Sequence, residues 1–161
     1  MTSENFLEYF WQLSSLDSKT RNRSAHGLVE FLLEKQAEMQ RSQDSFEKDK
    51  LDFKNGDFTK AEKVFCYEIN YSIGRLVTGL NSSRDAARLG FSLALTLLLE
   101  KMDFVPAEYV YYTQDGISEK NKGLKGQEEK EYYFARMFAV MVVLRARMID
   151  RSENKKDVIE K

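Results

Sequence analysis

The stretch Ile73-Gly74-Arg75-Leu76-Val77-Thr78-Gly79-Leu80-Asn81-Ser82-Ser83-Arg84-Asp85-Ala86-Ala87-Arg88-Leu89-Gly90-Phe91-Ser92-Leu93-Ala94-Leu95-Thr96-Leu97-Leu98-Leu99 decides the fold, because it reads as helix, tight turn, helix. Gly79 follows the last periodic residues of the first helix, where a left-handed closing residue is expected. Ser83 precedes the second as an N-cap whose oxygen can take an orphan amide. The connection Leu80-Asn81-Ser82 is short, so the spacing predicts an antiparallel helical hairpin.

The two helices ask for different surroundings. At about 100° per residue, Phe65, Ile69, Ile73, Leu76 and Val77 form one apolar stripe on the first, with Glu68, Asn70 and Arg75 outside it. One neighbouring layer satisfies that stripe. On the second, Asp85, Arg88, Ser92, Thr96 and Glu100 make a narrow polar strip, while Ala87, Leu93, Ala94, Leu97 and Leu98 cover much of the rest. A helix that apolar must be packed on more than one side, and stacked helical hairpins supply such an environment.

The run from Gly74 to Leu80, followed by Ser82-Ser83-Arg84-Asp85-Ala86-Ala87-Arg88-Leu89-Gly90-Phe91-Ser92-Leu93-Ala94-Leu95, resembles the N-terminal signature of the DNA polymerase phi family, also called the polymerase V or Myb-binding protein 1A family. The opening Phe6-Leu7-Glu8-Tyr9-Phe10-Trp11-Gln12-Leu13 and the later Tyr133-Phe134-Ala135-Arg136-Met137-Phe138-Ala139-Val140 resemble the same family's start and third block. The resemblance covers most of the chain and is weak over residues 43–60 and 115–125. It implies a nuclear, largely nucleolar, helical-repeat protein of ribosomal RNA production, ribosome assembly and transcription regulation. It implies no polymerase activity. The family's acidic tracts and basic C-terminal tail have no counterpart here, which leaves nucleolar retention and DNA binding by this piece unsupported by the resemblance. The chain is also far shorter than the family's members and ends without a stop signal, so it is expected to be a piece of a longer solenoid.

Lys and Arg number 25 against 26 Asp and Glu, so the molecule as a whole exerts no long-range pull on nucleic acid, and any such contact must be local. The single cysteine, Cys66, gives neither a disulfide frame nor paired zinc-ligand spacing and fits a reducing compartment such as the nucleus or cytosol. No apolar run approaches the roughly 20 residues that span a bilayer, and the first residues lack a secretory signal's basic start, so no membrane partner is expected. One proline and eight glycines in 161 residues favour helix throughout.

In chain order, residues 1–40 read as an N-terminal helical pair. Ser3 and Glu4 lead a short helix carrying Phe6, Leu7, Phe10, Trp11 and Leu13, and Asp17 or Ser18 opens a longer one with Ala25, Leu28, Val29, Leu32, Gln36 and Met39 on one face. Residues 41–60 are a charged connection whose Phe46, Leu51, Phe53 and Phe58 suggest that it lies against the body; counting back from Gly56 puts Phe53 and Leu51 where a calcium loop needs oxygen ligands. Residues 61–149 hold the hairpin and further helices of the same solenoid. Pro106 suits the first position of a helix carrying Tyr109, Val110, Tyr112 and Thr113, Gln114-Asp115-Gly116 marks a turn, and residues 118–126 form a Lys- and Gly-rich loop. The last helix has Glu128, Glu129 and Glu131 in its first turns, where the helix dipole favours acids. Phe134, Met137, Phe138, Met141, Leu144 and Met148 form its apolar band, with Arg136 and Arg147 opposite, and in a solenoid that band would meet the next repeat. Residues 150–161 are a charged tail.

Candidate binding residues are Arg75, Arg84 and Arg88 near the corner and Lys120, Lys122 and Lys125 in the basic loop. The sharper reading has them touch nucleic-acid phosphate or an acidic partner; the plainer one has Arg84 or Arg88 bond the end of the preceding helix or pair with Asp85, and the lysines simply solvated. Gly74 and Gly79 have the spacing of a phosphate loop, but Leu80-Asn81 stands where Lys and a hydroxyl belong and a helix precedes. The lone His26 has no second ligand at metal spacing, Cys66 falls on an apolar helix side, and scattered carboxylates without strands to hold them do not make a two-metal site.

The reading is therefore an all-α, HEAT/Armadillo-like helical-repeat segment of about six helices, not an enzyme, with no cofactor and no metal. Its expected partners are proteins of nucleolar or transcription complexes, weakly DNA or RNA, and the following helical repeats of a parent chain. A nucleic-acid-binding accessory of a polymerase and a generic helical protein-protein adapter are the alternatives. Primer extension with salt-dependent gel shifts discriminates the first, and the co-purified partners discriminate the second.

Overall fold

The computed structural model describes residues 6–42, 64–103, 105–119 and 125–151. Among the described residues there are seven helices and no strand. They are α1 Leu7–Gln12, α2 Ser18–Ser42, α3 Tyr67–Gly79, α4 Asp85–Lys101, α5 Ala107–Glu119, α6 Gln127–Arg145 and the single turn α7 Met148–Arg151. The expected starts at Ser3 and Glu4, nearly all of the charged connection with its four apolar side chains, Lys120, Lys122 and the tail beyond 151 lie outside the described residues.

Asp17 opens α2 as expected. Its carboxylate accepts the Thr20 amide at 2.9 Å and the Thr20 hydroxyl at 2.6 Å, and those bonds hold its pKa below the usual carboxylate value. The α2 face expected from spacing is the buried one: Ala25, Leu28, Val29, Leu32 and Gln36 are inside and Met39 is partly covered.

Helices adjacent in sequence pack as pairs, α1 with α2, α3 with α4 and α5 with α6. Helices also meet two steps along the chain: α2 packs on α4, α3 on α5 and α4 on α6, while Phe6 and Phe10 of the α1 segment set their rings 5.8 and 6.0 Å from Tyr71 of α3. The odd and even helices thus form two rows. Helix α4 lies innermost, touching α2, α3 and α6, and buries nine residues, as its nearly all-round apolar surface requires. Its polar strip is covered more than the sequence suggested, since Ser92 is buried and Arg88 is buried against Phe134 of α6.

Five local expectations are corrected. Gly79 is the last residue of α3, and Leu80 after it is right-handed, so no left-handed residue closes the helix. The corner closes through i to i+3 bonds in which the amides of Leu80, Asn81 and Ser82 reach the carbonyls of Val77, Thr78 and Gly79. Position 79 is glycine because a Cβ there would sit 2.3 Å from the Phe91 ring. The N-cap of α4 is Arg84 and not Ser83; the serine that contributes is Ser82, whose hydroxyl accepts the Arg84 amide at 3.2 Å.

Gln114-Asp115-Gly116 does not turn. It continues α5, because Gln114 is buried and Asp115 is paired with Arg136 on α6. Pro106 stands just before α5, its carbonyl accepting the Tyr109 amide at 3.1 Å. On α6 the expected band is inward only in part: Phe138 packs against the core, Phe134 and Phe138 lie over Arg88, and Met148 is buried, but other residues do most of the burying. Ala135, Ala139, Val142 and Val143 are buried, whereas Met137 and Leu144 are exposed, since small alanines let α6 approach its neighbours closely. Nor does the helix run through Met148: Arg147 takes a φ of 55°, which redirects the chain so that Met148 buries in α7.

Gly90 and Gly116 make opposite predictions. A Cβ on Gly90 would lie 1.9 Å from the Leu13 carbonyl oxygen, so Gly90→Ala forces α4 away from the α1–α2 turn and costs about 3 kcal/mol. Gly116 meets nothing within 4 Å in mid-helix, so Gly116→Ala stabilises by roughly 0.5–1 kcal/mol. Urea unfolding of both variants checks the contrast.

Candidate functional site: the α3–α4 corner and the α5–α6 groove

The corner expected to carry function is held from within by Arg88. One guanidinium nitrogen donates to the Ser82 carbonyl oxygen and another to the Asp85 carboxylate, and the group lies 5.1 Å from the Phe134 ring centre and 6.0 Å from that of Phe138. With the residue 7% exposed, its charge is spent on the turn and on the aromatic faces of α6. This is the plainer of the two arrangements read from the sequence. The i, i+3 spacing to Asp85 made the pair legible, while the contact with α6 was not.

Arg75 is exposed but tethered. It donates to the Tyr71 hydroxyl at 2.9 Å and lies 5.0 Å from the centre of the Phe10 ring, so it faces α1 while Arg88 faces α6. Arg84 is exposed at the start of α4, and Lys125 is exposed just before Gly126, which takes a φ of 65° at the N-cap of α6. The candidates therefore do not form one cluster among the described residues.

The same packing leaves a groove of about 160 Å³ between α5 and α6, lined by Tyr111, Gln114, Asp115, Arg136, Met137, Ala139 and Val140. Arg136 bridges it, 3.3 Å from Asp115 and 3.0 Å from the Tyr132 hydroxyl; the bond to Tyr132 raises its already high pKa. Burial pushes the Tyr111 phenol up as well. The arrangement offers an ion pair and apolar walls for binding, with no activated nucleophile.

One residue that the sequence placed only on a core face does more. Gln36, 4% exposed, donates from Nε2 to the Val64 carbonyl at 2.8 Å and accepts the Cys66 amide on Oε1 at 2.8 Å. It clasps the backbone entering α3. An amide among Leu28, Val29 and Leu32 was the available signal, because a buried polar side chain needs partners. Cys66 is buried, and burial raises its thiol pKa, away from the reactive thiolate. His26 is exposed on α2. Among the described residues no three His, Cys, Asp or Glu side chains are placed to hold a metal ion, and no helix is long and apolar enough to cross a membrane.

These features define an all-helical protein of paired, layered helices whose most buried charge serves its own packing. The chain belongs to the DNA polymerase phi family, whose sequence profile matches residues 71–161, from within α3 through α7 and beyond. It is 33% identical over 87 residues to the rDNA transcriptional regulator pol5 of Schizosaccharomyces pombe, a match covering 54% of this chain and 9% of that protein. It is 28% identical over 146 residues to mouse Myb-binding protein 1A, covering 89% of this chain and 9% of that one. The rat Myb-binding protein 1A is 32% identical over 101 residues, 63% of this chain and 5% of its own length. The chain thus spans no more than about a tenth of these curated relatives. No solved structure matches it.

Arg88→Met keeps much of the side chain's length while removing both polar bonds and the charge over the rings, and is expected to destabilise by about 2 kcal/mol. A denaturant midpoint equal to that of the unsubstituted chain would remove Arg88 from its fastening role.

Proposed function

We propose that the chain is a non-enzymatic, HEAT/Armadillo-like helical scaffold segment acting in the nucleolus, in ribosomal RNA production, ribosome assembly and transcription regulation. The observation that carries this reading is the family match across α3 to α7, with a relative named as a regulator of rDNA transcription and others named for binding Myb. The two-row packing of three successive hairpins supports the repeat architecture, because each pair meets the pairs before and after it. Residues 61–149 are read as one continuing stack behind the N-terminal pair. The mechanism is geometric: layered helices hold protein partners of nucleolar or transcription complexes at fixed spacing, and no bond is made or broken. Affinity purification of the tagged chain from nuclei is expected to recover ribosomal precursor particles and rDNA-bound factors above a matched helical control. Recovery of neither sinks the reading.

A weak contact with DNA or RNA is the second reading, favoured by the exposure of Arg84 and Lys125. Arg84→Glu combined with Lys125→Glu is then expected to weaken nucleic-acid binding and flatten its dependence on salt by roughly one unit of log–log slope per lost phosphate contact. Gel shifts at rising salt that do not distinguish the variant exclude these two residues as phosphate contacts.

A further inference from the structure

The α1–α2 and α3–α4 corners share one bonding pattern. In the first, the amides of Ser14 and Ser15 reach the carbonyls of Trp11 and Gln12, the Ser15 hydroxyl accepts the Asp17 amide at 3.2 Å, and the Arg21 amide closes on the Asp17 carbonyl. In the second, the amides of Asn81 and Ser82 reach the carbonyls of Thr78 and Gly79, the Ser82 hydroxyl accepts the Arg84 amide at 3.2 Å, and the Arg88 amide closes on the Arg84 carbonyl. One constant offset along the chain carries each of these positions onto its counterpart. The same offset carries Leu13 onto Leu80, Leu28 onto Leu95 and Leu32 onto Leu99, all fully buried.

It also carries Arg21 onto Arg88, and the two side chains do the same two things. Each guanidinium turns back on its own corner: Arg21 donates to the Ser15 and Leu16 carbonyls at 2.7 and 2.9 Å, and Arg88 to the carbonyl of Ser82, the counterpart of Ser15. Each also lies against the next helix of its row. Arg21 Cδ stands 3.2 Å from where a Cβ on Gly90 of α4 would be, and the Arg88 guanidinium is 5.1 Å from the Phe134 ring centre of α6. Corner carbonyls lack helical partners, and a guanidinium that satisfies them is held in one place. Its stem then gives the next layer a fixed surface to pack on.

We propose that Arg21 and Arg88 are one fastener used twice: residues 6–32 and 73–99 are two copies of a structural repeat whose corner arginine locks its own turn and seats the next helix of the even row. The inference deepens the repeat architecture proposed above and is independent of the nucleolar role. Failure to recover ribosomal precursors leaves it standing, and its own failure leaves the family-based role untouched.

Hydrogen exchange of the folded chain, read by mass spectrometry, tests it. Arg21→Met is expected to speed exchange at least about tenfold in the α1–α2 corner and around Gly90 of α4, with the α3–α4 corner as in the parent chain. Arg88→Met is expected to do the same in the α3–α4 corner and around Phe134 of α6, with the α1–α2 corner unchanged. Parent-like exchange in Arg21→Met overturns the proposal, as does a rise confined to the corner or one spread evenly over the chain, because a fastener acts on its own joint and on the layer it seats. Should either methionine variant fail to fold, exchanging the corners decides. Ser14→Asn, Leu16→Ser and Asp17→Arg combined with Asn81→Ser, Ser83→Leu and Arg84→Asp is expected to keep the thermal midpoint within about 3 °C of the parent, since the cap lost at one corner is regained at the other. A larger fall shows that the corners are not interchangeable and overturns the repeat.

Discussion

The structure depends on the shortage of polar surface on α4. Nine of its residues are buried, among them Arg88, and the helix meets α2, α3 and α6. No single partner can cover that much of a helix circumference, so the pairing of α4 with α3 cannot be the whole fold. A layer before it and a layer after it are both required. The two rows follow, since letting each hairpin lie on the last gives α4 neighbours on three sides.

Where that constraint becomes tightest, residue size decides. Gly79 admits the ring of Phe91, and Gly90 admits the carbonyl of Leu13. Ala135 and Ala139 do the same for α6. The aromatic rings cluster at the other end of the size scale, with Phe6 against Phe10, Phe31 and Tyr71, and Phe10 against Tyr71, where α1, α2 and α3 meet. Polar groups complete the joints: Arg88 bonds the corner and lies against α6, and Gln36 bonds the segment leading into α3. Hydrogen bonds made in the dry interior of such joints are costly to lose, which is why so few of them can fix the relation of one layer to the next.

Much of this was legible. The faces of α2, α3 and α4 follow from apolar spacing alone, because burial at period 3.6 is a property of each helix taken by itself. The Asp17 cap and the Arg88–Asp85 pair are likewise local. The glycines misled: Gly79 and Gly116 look like stops, yet one is set by a ring twelve positions away and the other sits inside a helix whose Asp115 is paired with α6. Helix α6 misled for a different reason. It is apolar on two sides, so periodicity could not say which side faces inward, and the small residues decided the matter. At the candidate site, the contact of Arg88 with Phe134 and Phe138 joins parts of the chain whose proximity only the completed stack creates.

The Gln36 clasp reaches across a long interval of chain. Its amide grips backbone groups at Val64 and Cys66 from the far side of residues 43–63, so the register of α3 against α2 is set at the two ends of that interval, whatever lies between. Lengthening such a span carries a small entropic penalty, about 0.6 kcal/mol for each doubling. Homologous chains are thus free to insert or delete residues there, and to vary its charge, while the helices on either side keep their alignment.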